Sequence, residues 1–199
     1  MKLKPLAQIR RRELRIAALT VLQREGITGA TLEKVAAQAG ASKGIVLHYF
    51  SNKQEVFEQA MREANLALSR AVIEKLRRAQ NDRERLEAII SANFEDRFFQ
   101  RNVCHAWLSL CAEAPRKPAF ARIQHAIHAR IDSNLRSALR TLMPAQRVHS
   151  AAMGISVFID GLWLRKGTSI RELTRQDALL LMQDYVAQSI GLEIKLDAT

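Results

Sequence analysis

Thr31–Tyr49 reads TLEKVAAQAGASKGIVLHY, and two short helical patterns meet inside it. Leu32, Val35, Ala36 and Ala39 fall on one face of a helix that starts after Thr31, a good N-cap. Gly40 must stop that helix, and Ser42 can cap a second one running to about Tyr49. A turn of about three residues between two short helices is helix-turn-helix spacing. Ala36 is small where two helix axes would cross closely, and Gly40, four residues on, supplies the positive φ that the tight turn demands. The second helix would then enter a DNA major groove, with Lys43 reaching a base edge or phosphate and Gly44 letting the backbone approach. Ile45, Val46 and Leu47 cannot all face DNA, so at least two of them should hold this helix onto its neighbours. A plain helical hairpin with no nucleic-acid partner is the alternative.

Working outward from this stretch, helical periodicity continues in both directions. Upstream, Leu14, Ala17, Ala18, Val21 and Leu22 line one face of an amphipathic helix ending at Gly26. Downstream, Ser51 with Gln54 reads as a capping box for a helix reaching about Arg78, and Asp82 as the cap of a helix to about Gln100. Another runs from about Asn102 to Ala114, where Pro115 and Pro118 break the pattern. A long helix from about Pro118 to Thr141 precedes Pro144, which suits the first turn of the next, to about Lys166, with Gly167 ending it. Thr174 with Asp177 forms a capping box for a last helix through Ile190 to Gly191. Glycine and proline together number twelve in 199 residues, about half the usual share, too few for the turns of a β fold. The expected fold is all-α with about nine helices. A three-helix helix-turn-helix DNA-binding domain would occupy 1–51, and a larger helical ligand-binding and dimerisation domain 52–199.

Charge points to a polyanion. The chain carries 31 basic and 20 acidic side chains, a net +11 with pI ≈ 10.4, a field that favours nucleic acid or an anionic membrane surface. Ten basic against five acidic residues in the first 60 place the polyanion surface at the N-terminal module. A basic helical RNA-binding or membrane-surface protein would share this balance. Ile16–Leu22 is flanked by arginines and glutamates without a cleavage pattern, so it reads as a helix and not a signal peptide. No window approaches the ~18 apolar residues of a membrane span. Cys104 and Cys111 lie about 10 Å apart along one helix face, beyond disulfide reach, which suits free thiols and a cytoplasmic protein. His125 and His128 at i, i+3 lack a carboxylate pair, and Cys104, His105 and Cys111 cannot converge. With no phosphate loop, nucleophile elbow or H-E-x-x-H run, neither catalytic residues, a metal nor a cofactor is expected.

The run T-L-E-K-V-A-A-Q-A-G-A-S-K-G-I-V-L-H-Y-F-S-N-K, Thr31–Lys53, resembles the DNA-binding segment of TetR-type bacterial repressors, which act as homodimers on palindromic operators. The resemblance implies that Thr31, Lys43, His48, Tyr49 and Lys53 contact the operator, mostly at phosphates. Ser42 and Gly44, at the start of the same second helix, join this set. Independently, orphan amides at the Thr31 helix start favour phosphate, and His48 and Tyr49 carry donors at the end of the recognition helix. Arg10, Arg11 and Arg12 are either an arm reaching DNA or a solvated charge run.

Further motifs resemble the choline-responsive BetI-type branch of that family. They are I-R-R-R at Ile9–Arg12, G-I-V-L-H-Y-F at Gly44–Phe50, N-F at Asn93–Phe94, A-W-L at Ala106–Leu108, S-N-L at Ser133–Leu135 and I-D-G-L-W-L-R at Ile159–Arg165. That branch commonly continues A-W-L-x-F-W, whereas Leu110 and Cys111 stand here where two aromatics would be. Phe94, Trp107 and Trp163 are candidate effector residues, because a quaternary ammonium is best held by aromatic faces, and Cys111 joins them by its position in that motif. Asp160, three residues before Trp163, can supply a counter-charge, or bridge to Arg165 or another helix. Aromatics at helical spacing also serve as ordinary core. The small residues Ala151, Ala152 and Gly154, with the face Ile155, Phe158, Ile159 and Leu162, allow close helix packing and, with the last helix, an intersubunit four-helix bundle.

Overall fold

The computed structural model describes residues 5–169 and 171–196, and every regular element among them is helical. Helix α1 (Pro5–Gly29) buries Leu14, Ala18, Val21 and Leu22. Its regular backbone breaks where the apolar pattern stops, at Gly26 (φ 66°, ψ 177°), a conformation only glycine adopts without strain. Helix α2 (Leu32–Gln38) begins where Thr31 Oγ1 accepts from Lys34 N at 3.3 Å. It ends in a turn where Gly40 sits at φ 57° and Ala41 N donates to Ala36 O at 2.9 Å. Helix α3 (Lys43–Tyr49) starts from Ser42, whose Oγ accepts from Ile45 N at 3.3 Å. Both α1 and α3 pack on α2, which completes the three-helix module.

Several later boundaries differ from the sequence reading. Helix α4 (Lys53–Arg78) is capped one residue downstream of the expected box. Asn52 Oδ1 accepts from Glu55 N at 2.9 Å, and Glu55 Oε2 in return accepts from Ser51 N at 2.8 Å. Helix α5 (Asp82–Ala92) is likewise capped by Asn81, not Asp82. It stops eight residues short of Gln100, because the buried Asn93 turns its Nδ2 back onto Ile89 O at 2.8 Å and the chain leaves the helix in turns. Helices α6 (Arg101–Glu113) and α7 (Pro118–Leu139) flank the proline break. Helix α8 (Ala145–Thr168) then runs through Gly167. Helix α9 (Arg175–Tyr185) carries both halves of the Thr174–Asp177 capping box and passes into a single π turn, Val186–Ile190, closed by Gly191 at φ 77°.

The chain divides into two compact units. One comprises residues up to Leu66 together with Ala106–Ile123, the other Ala67–His105 with Gln124 onward. In the second unit α8 corrects the sequence reading. Ala151, Ala152, Ile155, Ile159 and Leu162 are buried within the chain itself, and Phe158 stacks on Tyr185 with ring centroids 4.5 Å apart. Gly154 faces the same tyrosine, since a Cβ there would run into Tyr185 Oη. The apolar side chains left exposed are on the other face: Met153 (49%), Val157 (60%) and Leu164 (50%), with Leu180 and Leu181 on α9. Among the described residues no helix is long and apolar enough to cross a membrane.

Candidate DNA interface and effector residues

Of its three consecutive apolar residues, helix α3 buries one. Val46 is fully buried, whereas Ile45 and Leu47 are 41% and 42% exposed. The expectation that two of the three would anchor the helix is therefore corrected: Val46 and, just beyond the helix, the buried Phe50 suffice. At 100° per residue, Gly44 and His48 point away from Val46. Gly44 has no internal reason to be glycine. Its φ is not in the left-handed region, and a Cβ there would meet only Ser42 Oγ, at 3.7 Å. A helical glycine is about 1 kcal/mol less favourable than alanine, so this position fits a need for close approach from outside.

The charged candidates have partners of their own. Lys43 Nζ lies 2.6 Å from Glu33 Oε1, and that hydrogen bond, followed by backbone amides, pulls the Glu33 carboxyl down to about 2. Both side chains are well exposed, so the pair is readily exchanged for a phosphate. Lys53 Nζ sits 5.6 Å from the Phe57 ring centroid, and the His48 and Tyr49 rings meet edge to face at 5.1 Å. Thr31 and Ser42 use their hydroxyl oxygens as caps, and a hydrogen bond from the Thr31 side chain also helps hold the Glu33 carboxyl down. Arg10, Arg11 and Arg12 form no separate arm, because they lie inside α1. Arg10 pairs with Glu13 at 2.7 Å. Arg11 lies over the Phe50 ring, 5.1 Å from its centroid, with Nη2 2.9 Å from Glu55 Oε1. Arg12 is exposed.

Of the effector candidates, Phe94, Asp160 and Trp163 belong to the second unit and Trp107 and Cys111 to the first. Trp163 is buried and donates Nε1–H to Asn93 O at 3.1 Å, which draws it to the segment carrying Phe94. Phe94 is fully buried and meets Phe99 edge to face at 5.1 Å. The outer ring of this cluster already holds a cation, with Lys166 Nζ 5.6 Å from the Phe99 centroid. Asp160 bridges to another helix and not to Arg165: its Oδ2 lies 3.3 Å from His128 Nε2 on α7, and this contact raises the histidine's pKa above its ordinary value. Trp107 and Cys111 are half-buried. Cys104 is buried, and burial pushes its thiol up to about 12, a poor nucleophile. Neither cysteine is in a disulfide. Among the described residues no three His, Cys, Asp or Glu side chains are grouped to hold a metal ion.

Comparison with known proteins settles the family. Residues 15–60 match the model of the bacterial regulatory proteins of the tetR family, and residues 82–191 that of the C-terminal part of BetI-type transcriptional repressors. The HTH-type transcriptional regulator BetI of Yersinia pestis (strain Pestoides F) is 34% identical over 94% of this chain and 96% of its own. The regulator of the same name from Paraburkholderia phytofirmans is 36% identical over 91% and 93%. The chain belongs to the BetI-type repressors of the TetR family. Solved structures agree on the fold of this repressor. A transcriptional regulator from Saccharomonospora viridis, in complex with choline, superposes with a TM-score of 0.80 at 18% identity, covering 91% of this chain and 97% of its own. One from Pseudomonas aeruginosa PAO1 gives 0.78 at 24%, over 96% and 93%.

Four residues take places in the structure that the sequence reading did not give them. Glu33 is an acid in the first turn of α2, and only the folded turn brings it to Lys43. Ile45 and Leu47 were legible as apolar but not as exposed. His128 was weighed as a metal ligand, while the acid that holds it stands 32 positions away.

Proposed function

We propose that this repressor works as a homodimer on a palindromic operator, with its affinity set by choline or a related quaternary ammonium. The match of residues 82–191 to the BetI-type C-terminal part carries this reading. Residues 1–51 act as the DNA-binding domain and 52–199 as the effector-binding and dimerisation domain. Thr31, Ser42, Lys43, Gly44, His48, Tyr49 and Lys53 contact the operator, mostly at phosphates, and the exposed faces of α8 and α9 meet their copies in a four-helix bundle. The exposed apolar side chains Met153, Val157 and Leu164, on one face of α8, support this pairing. A dimer must hold its recognition helices about 34–36 Å apart to meet successive major grooves. An effector that favours another spacing removes operator affinity, and turning 99:1 bound into 1:99 takes ~5.5 kcal/mol of differential binding.

Phe94, Trp107, Cys111, Asp160 and Trp163 are the proposed effector residues, with the tryptophans giving π faces and Asp160 the counter-charge. The choline complex of the Saccharomonospora viridis regulator supports the ligand class, and so does the seat of Lys166 on Phe99. Leu110 and Cys111, in place of aromatics, favour a second reading in which the same scaffold takes a bulkier cation or a neutral hydrophobe. A thermal-shift panel with choline, its aldehyde, glycine betaine and larger ammonium ions separates the two. Ligand at 100 times its dissociation constant stabilises by about 2.7 kcal/mol. A shift with choline supports the first reading, and a shift confined to bulkier or neutral compounds supports the second.

A further inference from the structure

We propose that Ile45 and Leu47 read the 5-methyl groups of thymines in the operator's major groove, and so set which bases the repressor accepts. This rests on the DNA-binding reading of α3. Three observations carry it. First, α3 exposes both side chains, at 41% and 42%, although Val46 between them is fully buried. Second, at 100° per residue they lie about 80° to either side of the outward line between Gly44 and His48. An α-helix of 10–12 Å diameter fills a groove about 12 Å wide, so side chains on both flanks meet base edges. Third, Gly44 between them offers no side chain, and a Cβ there would meet only Ser42 Oγ, at 3.7 Å, which lets the helix sink until its flanking side chains reach the floor.

The chemistry then identifies the target. Base edges in the major groove present hydrogen-bond donors and acceptors, and their apolar feature is the thymine methyl. Ile45 and Leu47 can neither donate nor accept a hydrogen bond, and placed against a guanine or cytosine edge they would strip water from polar groups without replacing it. Only beside a methyl group does their burial cost nothing polar. Lys43 and His48 on the same helix supply the polar contacts, and the two apolar side chains supply discrimination.

The test needs no altered protein at first. Duplexes are selected by the full-length protein from a randomised pool, and each thymine of the winning duplex is then replaced singly by deoxyuridine, which removes the methyl and keeps every hydrogen-bonding group. The expected result is about a fourfold loss of affinity at each contacted thymine, equivalent to ~0.8 kcal/mol for a buried carbon, and no change at thymines flanking the site. Ile45→Ala should abolish the thymine–uracil difference at one set of positions and Leu47→Ala at another. If uracil duplexes bind as tightly as thymine duplexes while scrambled DNA still binds poorly, the methyl readout is overturned and the repressor reading stands. If no duplex is preferred over scrambled DNA, the DNA-binding reading falls and takes this proposal with it.

Discussion

Gly44→Ala should make the protein more stable and a worse DNA binder. On the folding side, the new Cβ meets only Ser42 Oγ at 3.7 Å, an ordinary van der Waals contact, and the backbone is compatible with any L-residue. Alanine exceeds glycine by up to about 1 kcal/mol inside a helix. Gly44 is the second residue of α3, so about half of that gain is expected, a rise in melting temperature of roughly 1–2 °C for a chain this long. On the DNA side the sign reverses. A methyl group forced into a close-packed interface costs about 1–3 kcal/mol, and two subunits on one operator double the effect, so affinity should fall at least about thirtyfold. Calorimetric melting and fluorescence anisotropy with a selected duplex read the two effects separately. Wild-type affinity in Gly44→Ala would refute the close approach, and a melting point several degrees lower would refute the claim that packing leaves this position open.

Further outcomes follow from the geometry. Lys53→Ala should flatten the salt dependence of operator binding by about 0.9 per phosphate contact, hence about twelvefold less loss for a dimer between 50 and 200 mM salt. Glu33→Gln, by releasing Lys43, should raise affinity in the same titration. Trp163→Phe leaves Asn93 O without its donor and should lower stability by about 1–3 kcal/mol in urea unfolding, so effector binding must be compared on variants shown to be folded. Val157→Lys should yield monomers in analytical ultracentrifugation, whereas Gly154→Leu should instead destabilise each subunit by driving Tyr185 off Phe158. The His128–Asp160 contact raises the histidine pKa. Its stabilisation should be complete below the ordinary value of 6.5 and fade as pH rises through the raised one; melting curves across that range should flatten in Asp160→Asn.

The recognition module was legible because its signals are local. Thr31, Gly40 and Ser42 each act within about four residues, and all three sit in the roles their chemistry suggested. Boundaries slipped where two good caps stand side by side. Ser51 and Asn52 both suit an N-cap, and the choice between them fell to the reach of the Glu55 carboxylate. Helix α5 ends early because a buried Asn93 prefers its own local bond, an event that periodicity does not register. The two apolar faces of α8 illustrate a different limit. Ile155 and Val157 look equally suited to burial, and only the presence of Tyr185 beside Gly154 and Phe158 shows which face the chain keeps for itself. The pairing of His128 with Asp160 depends on how α7 lies against α8, which no spacing rule encodes.

The most direct test of the account is the affinity of the full-length protein for its selected duplex, measured with and without millimolar choline. The account predicts strong preference for that duplex over scrambled DNA at ~150 mM salt, where non-specific binding is weak, and at least a tenfold loss of affinity when choline is added. Equal binding to selected and scrambled duplexes would contradict the operator claim, and an affinity unmoved by choline would contradict the effector claim.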